Sequence, residues 1–169
     1  MIDGPVVAEY HLDTDGDGQD ELVTDVTTSA QDRYVILSDD SAAPLVIGPL
    51  WASHLGEAGI ASAKAGTLTI LMGCDTCGRS GHRREWHIVF REGAYLLAGL
   101  TEIQWDRLFA ESASCDANLL SGRADISRDP DLTGARVKIA EAAPPLAGLP
   151  VTFQPAACRE LMDGFWAAR

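Results

Sequence analysis

Closely spaced carboxylates are the side chains of this sequence with the clearest chemical meaning. Three aspartates alternate along residues 13–17, Gly18 permits a sharp turn, and an acidic side chain follows four residues after the third aspartate. A hard cation such as calcium takes about six to eight oxygen ligands, and alternate carboxylates in a tight loop supply them. The spacing therefore predicts a calcium site with the ligands Asp13, Asp15, Asp17, Gln19 (through its carbonyl) and Glu21.

The residues on either side of this loop indicate which kind of calcium site it is. An EF-hand needs a glutamate at the twelfth position and a helix on each side, but the twelfth position here is Thr24 and both flanks have the composition of strands. A strand-loop-strand site closed by Glu21 resembles the FG-GAP and VCBS repeat loops of integrin-type propellers, with glutamate replacing their final aspartate. The alternative is an acidic turn that holds no metal.

Two cysteines and two histidines form a second group with metal-ligand spacing. Cys74, Cys77, His82 and His87 have the pattern Cys-x2-Cys-x4-His-x4-His, which resembles a zinc knuckle. Such knuckles act in basic nucleic-acid binders, whereas this chain is acidic. We therefore expect a disulfide between Cys74 and Cys77, with zinc at the four residues, or free or redox-active thiols, as the alternatives.

The other two cysteines are far apart in the sequence. In an oxidising compartment Cys115 and Cys158 would most simply pair and tie the C-terminal segment to the centre of the protein. Two buried free thiols are the alternative.

Composition narrows the range of partners. The 169 residues carry a net charge of −12, which argues against nucleic acid and against anionic membrane surfaces. No run of residues is apolar enough to insert into a membrane.

The residues after Met1 do not resemble a signal peptide, yet the four cysteines and the calcium loop suit a periplasmic or secreted protein. We therefore expect a signal peptide to have preceded residue 1, and another protein to be the partner.

Short runs with strand composition, separated by glycine, aspartate and serine, predict a mainly β protein with antiparallel sheets, as a sandwich or a partial propeller. Residues 51–64 are expected to form a short helix or a loop, and a C-terminal helix is expected over about 156–167. We predict a single domain, residues 1–169. The predicted strands are 6–11, 21–27, 33–38, 67–72, 85–91, 95–101, 103–109, 123–127 and 135–139.

Several segments together resemble a group of small exported proteobacterial proteins of unknown function. They are the acidic loop, the run from Trp86 to Gly93, the run from Ala98 to Thr101, and the run from Cys115 to Arg123. The resemblance implies a periplasmic, β-rich protein and transfers no catalytic residue.

The function expected from these features is that of a non-catalytic, calcium-binding accessory or interaction protein of the bacterial cell envelope. The sequence contains no nucleophile elbow, P-loop, dinucleotide fingerprint or zinc-protease motif. Two alternatives remain open: a hydrolase or carbohydrate-active protein stabilised by calcium, and an acidic inhibitor or immunity protein for a basic partner.

Overall fold

The computed structural model describes residues 2, 4–38, 43–50, 56–64, 66–75, 77–129 and 132–167. Over these ranges the chain forms eleven β-strands followed by one α-helix. The strands are β1 (Val6–Leu12), β2 (Glu21–Thr27), β3 (Arg33–Ser38), β4 (Leu45–Leu50), β5 (Glu57–Lys64), β6 (Thr67–Cys74), β7 (Ser80–Arg91), β8 (Ala94–Asp106), β9 (Glu111–Asn118), β10 (Arg123–Arg128) and β11 (Leu132–Lys138), and the helix is α1 (Ala156–Ala167).

The strands form two antiparallel sheets, which confirms the predicted fold class. The first sheet has the order β1-β2-β3-β4, and the second has the order β11-β10-β9-β8-β7-β6-β5. Within each sheet every strand pairs with its neighbour in the sequence, so short turns suffice as connections. The acidic loop is the turn between β1 and β2.

The core is formed by one face of each sheet together with the terminal helix. Val23 and Val35 from the first sheet, and Trp86 and Leu100 from the second, are completely buried in the same cluster. The helix adds Cys158, Met162 and Phe165, whose spacing places them on one helical face. The face of the second sheet that carries Trp86 and Leu100 is called its inner face below.

The start of the helix is fixed by its neighbours. The carbonyl of Pro155 accepts the first helical hydrogen bond, from Arg159 (3.0 Å), so Pro155 immediately precedes the helix. Glu141 accepts a hydrogen bond from the N–H of Ala156 at 2.7 Å, and this bond, together with smaller contributions, lowers the pKa of the Glu141 carboxyl despite partial burial. A negative charge at this end of the helix is stabilising.

Three strands were absent from the prediction, and each has a physical reason. The edge strand β4 contains Gly48-Pro49, a pair that argues against a strand except at an edge. Part of the segment 51–64 is the edge strand β5 rather than a helix or loop, and residues 51–55 lie outside the described ranges. The third, β9, is made of small and polar residues.

Some predicted boundaries were also wrong: β7 begins at Ser80 rather than at residue 85, and the larger error concerns β8. The expected strands 95–101 and 103–109 are a single strand, β8, which continues to Asp106 and is followed by a turn over residues 107–110. The inner face of β8 changes from apolar Leu100 to Glu102, which is 4% exposed. Arg84 donates to this carboxylate at 2.9 Å and Gln154 donates to it at 2.7 Å, so the polar part of the strand is buried as well.

Candidate metal centre

The four predicted carboxylates come together in the turn between β1 and β2. One oxygen from each of Asp13, Asp15, Asp17 and Glu21 lies within 4.8 Å of the others, with Glu21 buried, Asp17 exposed and the other two half-buried. Oxygen atoms at this separation can contact a common cation. The structure therefore contains an acidic cluster that could hold a metal ion such as calcium.

Local backbone geometry creates this arrangement. Gly16 and Gly18 have φ values of +85° and +88°, a left-handed conformation that side chains rarely adopt. Backbone N–H groups of the turn then donate to its aspartates. The bonds run from Gly16 to Asp13 (2.5 Å), Gly18 to Asp13 (3.1 Å), Asp17 to Asp15 (3.0 Å) and Gln19 to Asp17 (2.7 Å).

The carboxylates repel one another in the absence of a cation. The N–H of Asp17 lowers the pKa of Asp15, but burial and the charges of Glu21, Asp17 and Asp13 outweigh this effect, so the pKa of Asp15 is raised. A raised carboxyl pKa means that the charged form of Asp15 is less favoured in the folded protein than in an isolated side chain. A bound divalent cation would offset this effect by compensating the negative charge.

Glu21 is connected to residues that the spacing pattern did not identify. Its Oε2 accepts hydrogen bonds from the N–H of Thr14 (2.5 Å) and from the Thr14 hydroxyl. Because the single hydroxyl proton of Thr14 is used in this way, the hydroxyl of Tyr95 donates to Thr14 Oγ1, at 2.5 Å. A second contact, from Gly66 N–H to the Asp13 carbonyl (3.2 Å), joins the loop to the turn after β5.

Gln19 is the one proposed ligand that does not contribute a carboxylate. It is exposed at the end of the turn, and its side-chain amide donates to Asp17 Oδ2 at 3.3 Å. Its backbone carbonyl remains a predicted ligand.

The cysteine pair at the end of β6 forms the predicted disulfide, Cys74–Cys77. Disulfide sulfurs are not thiolates, so these atoms do not supply zinc ligands in this structure. The two histidines of the zinc pattern also diverge. They lie on β7 with no register shift between them, and five residues of strand place His82 and His87 on opposite faces of the sheet.

Each histidine has its own surroundings. Burial is the main cause of a lowered pKa at His82, with smaller and opposing effects from neighbouring charges such as Glu102 and Arg84. His87 lies on the outer face, where its Nε2 is 3.3 Å from Thr101 Oγ1. Thr101 donates to Asp116 (3.1 Å), so the Thr101 oxygen accepts from Nε2 of His87, while Nδ1 of His87 lies 3.4 Å from Thr69 Oγ1.

These hydrogen-bonded polar side chains form a row across the neighbouring strands β6, β7, β8 and β9. Asp116 and His87 also line a cavity of about 470 Å³ whose other polar residues include Arg123 and Arg136. Cross-strand polar pairs commonly stabilise a sheet face. Spacing along the sequence could not indicate this row of side chains, because its residues are distributed over four strands.

The second predicted disulfide, Cys115–Cys158, joins the inner face of β9 to α1. Two disulfides indicate an oxidising, extracytoplasmic location. Among the described residues, none of the helical segments has the length and apolar character needed to cross a membrane.

Comparison of the chain with protein-family models, with curated proteins and with solved structures gave no match.

Proposed function

We propose that this protein is a non-catalytic, calcium-binding accessory or interaction protein of the bacterial cell envelope. The observation that carries the proposal is the convergence of four carboxylates in one β-turn loop. The two disulfides support a compartment outside the cytoplasm, where calcium is abundant enough to fill a loop of moderate affinity. The assignment to a bacterial cell envelope rests on the sequence resemblance to small exported proteobacterial proteins.

In this proposal the ion is held by the carboxylates of Asp13, Asp15, Asp17 and Glu21 and by the Gln19 carbonyl. Its main effect is structural, since it removes the repulsion among the carboxylates and fixes the turn between β1 and β2. The rigid loop and the acidic surface around it then form the part of the protein that a partner recognises, with charge complementarity favouring a basic partner.

Calcium is expected to stabilise the folded protein. At a calcium concentration about 100 times the dissociation constant, binding to the folded state alone adds about 2.7 kcal/mol. For a protein of this size we expect a rise of about 5 to 10 °C in melting temperature over the same sample in chelator. Calorimetric titration should show one bound ion per chain.

The loop provides its own matched control for this prediction. Asp15→Asn and Asp20→Asn remove the same charge from the same turn, but Asp20 is exposed and is outside the carboxylate cluster. We expect Asp15→Asn to abolish most of the calcium effect and Asp20→Asn to preserve it. In chelator Asp15→Asn should melt no lower than wild type, because it relieves repulsion. An unchanged melting temperature on adding calcium, with no heat of binding, would refute the calcium proposal.

Hydrolysis is a second candidate function, favoured by the hydrogen bonds among His87, Thr101 and Asp116 beside a polar cavity. If the protein is non-catalytic, wild type, His87→Ala and His11→Ala should all hydrolyse p-nitrophenyl acetate at the same rate. His11→Ala is the control, because it alters an exposed histidine. A loss of about hundredfold or more in His87→Ala alone is typical of a removed acid–base group, and would favour the hydrolase.

A further inference from the structure

An apolar cavity of about 330 Å³ adjoins the acidic loop. It lies between the loop, the ends of β3 and β4, and the hairpin that joins β7 to β8. Its principal walls are formed by Leu37, Leu45, Phe90, Tyr95 and Pro145, and Asp15 is its one charged residue among those described. Phe90 and Tyr95 are in edge-to-face contact with ring centroids 5.0 Å apart, so an aromatic pair forms one side.

These walls select a class of ligand. An apolar body of modest size fits the aliphatic and aromatic surface, and a hydroxyl or amine N–H could donate to the carboxylate of Asp15. Anions are disfavoured, since the other three carboxylates of the acidic cluster lie next to Asp15. We propose that this cavity binds an uncharged small molecule with an aromatic or aliphatic body, and that calcium in the adjoining loop increases its affinity.

The coupling follows from the hydrogen bonds that connect the two sites. Tyr95, whose ring lines the cavity, donates through its hydroxyl to Thr14, and Thr14 donates to the proposed calcium ligand Glu21. A cation that fixes Glu21 therefore also restrains the Tyr95 ring, so less motion is lost when the ligand binds. The ligand must increase the affinity for calcium by the same factor. This coupling rests on the proposed calcium function, whereas the cavity itself does not.

N-phenyl-1-naphthylamine is a suitable probe, because it is uncharged, carries an N–H donor and fluoresces strongly in apolar sites. Titration of the purified chain in calcium should show saturable binding of one dye per protein. In chelator the dissociation constant should rise about fivefold, the low end of typical couplings between sites. The anionic dye 1-anilinonaphthalene-8-sulfonate should bind at least about tenfold more weakly, since one unfavourable contact of about 1.4 kcal/mol corresponds to that factor.

Variants locate the dye. Ala147 lines the cavity and is exposed, so Ala147→Trp should fill the space without disturbing the core and weaken binding about tenfold or more. Ala142→Trp introduces the same side chain at an exposed position outside the cavity, and should bind the dye as wild type does. Ala43 is a second exposed residue of the lining, and Ala43→Trp replaces Ala147→Trp should that variant fail to fold.

Tyr95→Phe tests the coupling separately. It retains the ring that lines the cavity and removes the hydroxyl that contacts Thr14. We expect dye binding to persist and the effect of calcium on it to disappear.

Each contrary outcome overturns a defined part of the proposal. Absent dye binding, or binding that the filling variants leave unchanged, refutes the cavity as a ligand site. Equal affinity for the anionic dye refutes the uncharged ligand class. If calorimetry shows calcium binding but dye affinity is the same in calcium and chelator, the coupling is refuted. If calorimetry shows no calcium binding while the dye still responds to the filling variants, the proposed function and the coupling fail and the ligand site stands.

Discussion

Removal of the Cys115–Cys158 disulfide is expected to lower the free energy of unfolding by about 4 kcal/mol. The bridge spans 43 residues, and the cost follows from the entropy that the unfolded chain regains when a loop of this length is opened. We expect this loss in Cys115→Ala/Cys158→Ala, measured by urea denaturation under oxidising conditions. Reduction of the wild-type protein should also lower its free energy of unfolding.

The position of the Cys115–Cys158 disulfide explains why its removal is expected to cost so much stability. The helix α1 buries only Cys158, Met162 and Phe165. A helix of 12 residues is marginal by itself, so its place on the sheet depends on this face and on the covalent bond to β9. Cys115 and Cys158 are both completely buried, so the double variant also loses some packing.

The other disulfide is the matched control. Cys74 and Cys77 are three residues apart, and the same entropic relation gives only about 1.6 kcal/mol for a loop so short. Cys74→Ala/Cys77→Ala should therefore be clearly more stable than Cys115→Ala/Cys158→Ala. Equal losses in the two double variants would contradict the assignment of the effect to loop length.

Features encoded by neighbouring residues were the ones that the sequence predicted well. The bounds of β2 and β3 agree with the prediction, because both strands are rich in β-branched or aromatic residues and end at turn-forming residues. The acidic cluster was likewise predictable, since all its members lie within residues 13–21.

Features that depend on tertiary packing were missed. The strand β9 has small residues where its inner face meets the helix, with Ala113, Cys115 and Ala117 almost completely buried. A close approach between strand and helix needs such residues, but in isolation they have low strand propensity. Tyr95 is 81 residues from Thr14 in the sequence, so its contact with the loop could not be inferred before the sheets were known to meet there.

Asp25→Ala is the second substitution for which a large loss of stability is expected, about 3 kcal/mol. Asp25 lies on β2 and is 2% exposed. Arg33 on β3 donates two hydrogen bonds to it, both 2.7 Å long, and the N–H of Ile60 on β5 donates a third at 3.2 Å. The carboxylate therefore connects the first sheet to the edge strand of the second.

Stability is lost in Asp25→Ala because the groups that donate hydrogen bonds to Asp25 remain without their acceptor. The hydrogen bonds to Asp25 are the main cause of the raised pKa of the Arg33 guanidinium, and the variant loses them. Arg33 nevertheless stays charged, because the ordinary pKa of an arginine already lies far above neutral pH. Breaking a buried ion pair by removing one member typically costs about 3 to 5 kcal/mol. The lower value applies because the Arg33 side chain is 24% exposed and water can solvate it in part.

The glycine opposite Asp25 shows how closely the two sheets approach at this point. Gly59 on β5 has a φ of +135°, and a Cβ placed on it would collide with the carboxylate of Asp25. The edge strand can therefore reach the ion pair only with glycine at this position.

A matched surface pair makes the Asp25 prediction decisive. Asp125 and Arg136 form the same two-bond arrangement across β10 and β11, with bonds of 2.7 and 2.9 Å, but their side chains are 56% and 66% exposed. Asp125→Ala should change the free energy of unfolding far less than Asp25→Ala, because exposed pairs are solvated and screened. In a double-mutant cycle, Asp25→Ala and Arg33→Ala should be strongly non-additive, since the second substitution removes the charge that the first leaves unpaired. Equal effects of Asp25→Ala and Asp125→Ala in urea denaturation, or an additive cycle, would show that the buried ion pair does not join the two sheets energetically.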